Sequence, residues 1–490
     1  MPAVQSNRGP LLNAKEYGNL QLAIRAAEAV GGTLVLDDAR TYTVTTGITV
    51  TSACKIIGNL ATINGAASNI TPLTITGDDV EISGLSVAAK SNQKAIDATG
   101  ADRLHIHDCY VTSGWKGITV TNSNDVRVIG NHITTNGDAS SGGTGHGVLI
   151  AKSGVGSPIG FQVMGNRIVN TNQAYGHGIW WYGGDASSTS TIGISRGVVS
   201  GNIVTNVMGG IWGALGQFIT VHGNVVEGCS DVGIDFEGCQ DCAASVNTVM
   251  DVLGGGLATL YNSKRITFTG NNVHSDETAA LGGGAFGTTT NYAVLLKHDG
   301  SDIEFVGNTF STVAASSTGE VNAFKSTASV GVNRVVFRAN RFYNTRVNFI
   351  GGQSAITFEN NSFYQDWDIN GIILYVYQCG KGVVIRGNNF TSASASAASA
   401  ESQAVIRVTQ NNGTSTPRLS DILIENNRIL DWPSSGISVN TYNGTDANTY
   451  IVLNNITDKV WYRTASDPAS AIRTGNTKPG DNSAVTPTGV

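Results

Sequence analysis

Along most of the chain, apolar and polar residues alternate in short runs, and a Gly-Asn pair interrupts run after run. The phrase reads RVIGNHI at 127–133, QVMGNRI at 162–168, VVSGNIV at 198–204 and TVHGNVV at 220–226. It returns as TFTGNNV at 267–273, EFVGNTF at 304–310, VFRANRF at 336–342, TFENNSF at 357–363, VIRGNNF at 384–390 and LIENNRI at 423–429. Alternation at period two predicts strands with one buried face. Gly and Asn tolerate the left-handed backbone of a sharp bend. The nearest copies lie 21 to 24 residues apart, the length of one three-stranded coil of a β-solenoid. Stacked coils let successive bend asparagines hydrogen-bond as a ladder. Wider gaps carry inserts such as TNGDASSGGTG and TSASASAASAES, which belong on loops leaving the stack.

A second phrase, Gly followed by Ile or Val and further alternation, marks another strand of each coil: KGITVT, HGVLIA, HGIWWY, GGIWGA, VGIDFE, GGLATL, NGIILY and SGISVN. Turning the residue after Gly inward stacks Ile118, Val148, Ile179, Ile211, Ile234 and Leu257 in the core. Thr119, Leu149, Trp180, Trp212, Asp235 and Ala258 then point outward, and Tyr182 and Glu237 follow two residues on.

The ends depart from the pattern. Residues 1–15 read as an arm, 16–50 as a capping helix and first strands, 51–461 as the solenoid and 462–490 as a tail. Composition agrees: Gly is 61 of 490, Pro 9 and charged residues 13%, which suits short strands and tight turns. With net charge −6 and no basic run, nucleic acid is not an expected partner. No N-terminal basic-then-apolar segment reads as a signal peptide, and no apolar run is long enough to insert in a membrane. Cys54, Cys109, Cys229, Cys239, Cys242 and Cys379 are expected as small packed residues; Cys239 and Cys242 lack a second pair to hold zinc. No metal and no cofactor are expected.

These residues resemble the pectate-lyase-like superfamily of right-handed parallel β-helix proteins. The helix ahead of GGTLVLDDARTYTV and the Gly-Asn coils carry the likeness, over residues 16–460. The resemblance implies an all-β fold, a single-stranded right-handed parallel β-helix with an N-terminal α-helical cap. Within the superfamily the chain looks most like a bacteriophage tailspike or polysaccharide depolymerase. That implies a homotrimer on the virion, joined to the tail or baseplate through the arm, acting on host cell-surface polysaccharide and extracellular after release. Gly-His-Gly occurs at 145–147 and 176–178, but the aspartates and the Arg-Ile-Lys of the polygalacturonase pattern are missing.

The outward face is where chemistry is expected. Asp235 and Glu237 stand at i and i+2, so both should face solvent with Cα atoms about 6.6 Å apart. Paired carboxyls at about 5 to 9.5 Å serve glycosidases as acid and as nucleophile or base. Asp235 and Glu237 are therefore the expected catalytic pair, with Asp231 and Asp241 flanking as substitute partners. Trp180, Tyr182 and Trp212 offer flat faces to sugar rings. His146 and His177, expected to stack in adjacent coils, can bond the glycan or act as base. Lys297 is the cation that an elimination next to a uronate carboxylate would need. Hydrolysis of a capsule or O-antigen is the first expectation, a lyase on a uronate-containing glycan the second and a non-catalytic adhesin or fibre the third.

Overall fold

The computed structural model describes residues 9–90, 92–136, 145–170, 172, 176–275, 293–296, 298–312, 322–325, 332–350, 354–365, 372–377, 380–392, 404–409, 420–431, 436–441, 450–457, 459–464, 472–478 and 488–489. The chain divides into two compact units, residues 1–230 and 231–490.

In the first unit a typical coil runs Lys116–Thr121, Val126–Ile129, His132–Thr135. Each of its strands pairs in parallel with the equivalent strand of the next coil. Ile106, Val128, Val163, Val199 and Val221 lie in register, all fully buried, as alternation predicts for an inward column. The bend glycines Gly130, Gly165 and Gly201 take φ of 62 to 65°. The asparagines after them are buried and bonded in sequence. The backbone N–H and side-chain Nδ2 of Asn131 both donate to Asn166 Oδ1, at 2.9 and 3.0 Å. Asn166 repeats this on Asn202.

The inward Trp181 is fully buried because the following coil makes room for it. A Cβ at Gly213 would stand 1.8 Å from its ring, and one at Gly216 2.5 Å from its Nε1. The first helix, α1 (Leu20–Val30), starts at Asn19, whose side chain accepts the Leu22 N–H at 2.9 Å, and stops at left-handed Gly31. It buries Leu20, Ala23, Ile24 and Ala27. Gln21 exchanges two hydrogen bonds with the backbone of Thr49, at 2.8 and 2.9 Å, so a helix side chain pairs part of the terminal strand.

The second unit repeats the architecture, for example in Val332–Arg338, Arg341–Tyr343, Arg346–Ile350. Its core is filled by stacked phenylalanines. Phe268, Phe305, Phe337 and Phe358 lie 4.7 to 4.9 Å apart. Phe310, Phe342, Phe363 and Phe390 form a second column at 4.5 to 5.1 Å. Its asparagine ladder runs from Asn247 through Asn271, Asn308, Asn340, Asn361, Asn388, Asn427 and Asn455 to Asn476.

Both expected end segments are partly built into coils. Within residues 1–15, Leu11–Asn13 is a strand paired with Thr33–Val35. Within residues 462–490, Ile472–Thr474 pairs with the strand Tyr450–Leu453, and Asn476 ends the ladder. RTGNT at 473–477 is one more copy of the bend phrase, shortened so that its alternation is hard to see.

Candidate functional site

In the first unit the structure brings His146, His177, Trp180, Tyr182 and Trp212 together. The two imidazoles stack at 5.0 Å and 13°. Trp180 lies 4.7 and 4.9 Å from them, Trp212 packs on His177 at 4.5 Å, and Tyr182 lies 4.8 Å from Trp180. The glycines of both Gly-His-Gly triplets explain this placement. A Cβ at Gly147 or Gly178 would meet Ile168 at 2.4 Å or Val204 at 2.1 Å, and Gly176, at φ 92°, presses on Gly145. The histidines between them are thus held one above the other.

His146 Nδ1 accepts the backbone N–H of His177 at 3.2 Å and lies 3.2 Å from His177 Nδ1. With Nδ1 accepting, the proton of the neutral His146 ring sits on Nε2. His146 Nε2, His177 Nε2 and Trp180 Nε1 are buried without a hydrogen-bonding partner among the described residues. Burial pushes His177 down to about 3. Burial, then the charges of His177 and Lys116, hold His146 well below the usual imidazole range. Both rings are neutral at pH 7. Because both folded-state values are depressed, their stability contribution is complete above the unfolded value, about 6.5, and is lost progressively as pH falls from there toward the folded values, about 3 for His177. His177→Gln is expected to flatten urea-unfolding stability between pH 6.5 and 4.5 by up to about 1.4 kcal/mol per pH unit.

Lys116 was missed as a site residue although it stands just before the Gly of its phrase, as His146 and His177 do in theirs. Its ammonium lies 4.4 Å over the Trp115 ring. Burial first, and Lys94 second, make it a weaker base than an ordinary lysine, with Asp97 acting in the other direction.

The carboxylates belong to the second unit. Asp235 was expected in solvent and is instead fully buried. Its strand, Val232–Glu237, turns Ile234 and Phe236 into the core, so by alternation Asp235 keeps to the outer face. Its register partner Ala258 is packed there with Val232, Leu260, Tyr261 and Leu295, and this apolar patch removes water. Neither oxygen of Asp235 makes a hydrogen bond among the described residues. Burial first, then Glu237, Asp231 and Cys239, raise Asp235 well above the usual carboxyl range, while the Phe236 backbone amide acts against them. Asp235 thus holds its proton more strongly than an ordinary carboxyl group, beside Glu237, which is partly exposed.

Asp241, expected as a substitute partner, is held in a structural pair. It occupies a left-handed bend at φ 53°, and Arg265 of the next coil grips its carboxylate at 2.5 and 2.8 Å. Arg334 repeats this on Asp302 at 2.5 and 2.8 Å. Because the pairs are exposed, Arg265→Ala is expected to cost only about 0.5–1 kcal/mol in urea unfolding, with the cost vanishing in molar salt. Lys297 lies outside the described residues.

For metals, the group with suitable chemistry among the described residues is Glu81, His105 and His107, with ligand atoms within 4.8 Å of one another. The Lys55 ammonium already lies 2.6 Å from Glu81 Oε1 and takes a cation's place. The five described cysteines are buried thiols, packed as expected. Among the described residues no helix is long and apolar enough to cross a membrane.

A family model described as "Right handed beta helix region" matches residues 186–310, which indicates a right-handed β-helix. No curated protein matches the sequence. Several solved structures are similar in fold. The Dettilon tailspike protein has 14% identity and a TM-score of 0.43 over 80% of this chain; the chain spans 64% of that protein's length. The DFA-IIIase from Arthrobacter chlorophenolicus A6 without its lid, in complex with GF2, has 12% identity and a TM-score of 0.42 over 71% of this chain and 94% of that one. PfbA, a surface adhesin of Streptococcus pneumoniae, has 12% identity and a TM-score of 0.36 over 79% of this chain and 93% of that one.

Proposed function

We propose that this right-handed β-helix is a tailspike-type depolymerase that binds and hydrolyses a host surface polysaccharide, either capsule or O-antigen. The observation that carries the reading is Asp235: a fully buried carboxyl group whose proton affinity burial raises, with Glu237 and Asp231 close enough to raise it further. Two carboxyls driven apart in acidity by their surroundings are what acid–base glycoside hydrolysis needs. Asp235 donates its proton to the glycosidic oxygen as the C–O bond breaks. The Glu237 carboxylate takes a proton from the water that attacks the anomeric carbon. Asp235 is fully buried, so substrate must displace neighbouring side chains to reach it. In this reading the protein works as a homotrimer on a phage tail, outside the cell after release.

A second reading, a lyase on a uronate-containing glycan, is favoured by Lys116, a lysine of lowered basicity whose charge acts on the neutral His146. Product chemistry separates the two. Incubation with a panel of purified bacterial capsular and O-antigen polysaccharides is expected to release reducing ends without the ultraviolet absorbance of an unsaturated uronate. Absorbing products would replace hydrolysis by elimination. Binding without any new reducing ends would leave an adhesin.

A further inference from the structure

The outer face of a different pair of coils carries a group that the acid chemistry does not use. Strands Leu374–Tyr377 and Ile406–Thr409 are neighbours in register, with Tyr375 opposite Arg407 and Tyr377 opposite Thr409. Leu374, Val376, Ile406 and Val408 are fully buried in the core, so Tyr375, Tyr377, Arg407 and Thr409 share the outward side. The two tyrosine rings stack at 5.4 Å and 25°. The Arg407 guanidinium lies 5.5 Å from the centroid of Tyr375.

Arg407 differs from the arginines that hold the bends. Arg265, Arg334, Arg338 and Arg386 each bind a carboxylate. Arg407 has no carboxylate partner among the described residues, and its Nε is buried without an acceptor, as is the Thr409 hydroxyl. A guanidinium partly withdrawn from water with no counter-charge is costly. A carboxylate relieves that cost well, because its two oxygens match the planar fork of donors. The tyrosine pair beside it offers the apolar surface that a pyranose ring covers.

We propose that Tyr375, Tyr377 and Arg407 form a subsite for an acidic sugar residue, with the sugar carboxylate on Arg407 and the ring against the tyrosines. The substrate class of the proposed depolymerase is then a carboxylate-bearing polysaccharide. This rests on the glycan-acting reading of the fold and not on Asp235. With a net charge of −6 the protein repels a polyanion at long range. Attraction must therefore come from this local cation and weaken with salt.

The test uses the full chain carrying Asp235→Asn, so that cleavage does not consume the ligand, and an array of purified acidic and neutral bacterial polysaccharides. Binding is expected to be confined to carboxylate-bearing glycans and to fall with rising salt. Chemical reduction of the glycan's carboxyls to alcohols should abolish it. Arg407→Gln should weaken it about tenfold or more, Arg407→Lys should retain part of it, and Tyr375→Ala should weaken it at unchanged melting temperature. Binding to neutral glycans alone, no binding to any acidic glycan, equal binding by Arg407→Gln, or binding that survives carboxyl reduction through a sulfate or phosphate ester would each overturn the proposal. Wild-type cleavage that is indifferent to carboxyl reduction would sink the subsite and leave the hydrolase standing. Asp235→Asn cutting at the wild-type rate would sink the hydrolase and leave the subsite standing.

Discussion

Asp235→Asn is expected to lower the rate of polysaccharide cleavage about 10³-fold while glycan binding persists. A positioned general acid contributes roughly 10²- to 10⁴-fold, and the amide keeps the shape of the carboxyl but cannot protonate a leaving oxygen. Wild-type turnover should fall on the alkaline side as Asp235 ionises, and the variant should lose that limb. The sign of the stability effect is opposite. The folded-state proton affinity of Asp235 is raised, so its stability contribution is complete below the unfolded carboxyl value, about 3.9, and is lost as pH rises through the folded value. At pH 7 the variant should therefore unfold at a slightly higher temperature than the wild type, by on the order of 1 kcal/mol; near pH 3 the difference should vanish. Glu237→Gln should also slow cleavage, through loss of the base, with a smaller effect on stability because Glu237 is partly exposed. Full activity in Asp235→Asn would rule out this acid. A variant less stable than the wild type at pH 7 would show that the carboxyl is paired in solution.

Asn308→Ala is expected to cost about 3–5 kcal/mol, the range for breaking a buried hydrogen-bond network. Asn308 Oδ1 accepts both the backbone N–H and the Nδ2 of Asn271, at 2.9 Å each. Its Nδ2 donates to Phe268 O at 3.0 Å and to Asn340 Oδ1 at 3.0 Å. Alanine leaves a buried N–H on Asn271 and a buried carbonyl on Phe268 without these partners, and each unmet group costs about 1–3 kcal/mol. The Phe268 and Phe305 rings stack beside this rung, so its loosening should reach the core. Denaturant unfolding of the two proteins checks the figure; a loss below about 1 kcal/mol would mean that water replaces the rung. Asn308→Asp should be nearly as harmful, because it keeps the acceptor but loses the donating amide.

Much of the architecture was legible because it repeats. One Gly-Asn bend says little, but copy after copy at near-constant spacing placed the strands, the inward columns and the asparagine ladder before any coordinate. The same pattern put Asp235 on the outer face and stacked His146 on His177. It misjudged Asp235 in solvent, since alternation reports only which side of a strand a residue takes. Whether that side is wet depends on Ala258, Leu260 and Leu295, which neighbouring coils bring from far along the chain. Asp241 looked free for the same reason: its partner Arg265 is 24 residues away and meets it only when the coils stack. Arg407 carries no sequence signature of its own, because the lack of a counter-charge is a property of surroundings; Lys116 shares with His146 and His177 the place before the Gly of its phrase, but its lowered basicity comes from burial.

The amino-acid pattern by itself determined the coil, its bends and the direction of its side chains, since these follow from backbone sterics and period-two alternation within one repeat. Protonation, pairing and access were decided only by the tertiary structure, because they depend on water and charge excluded or supplied by residues one coil away.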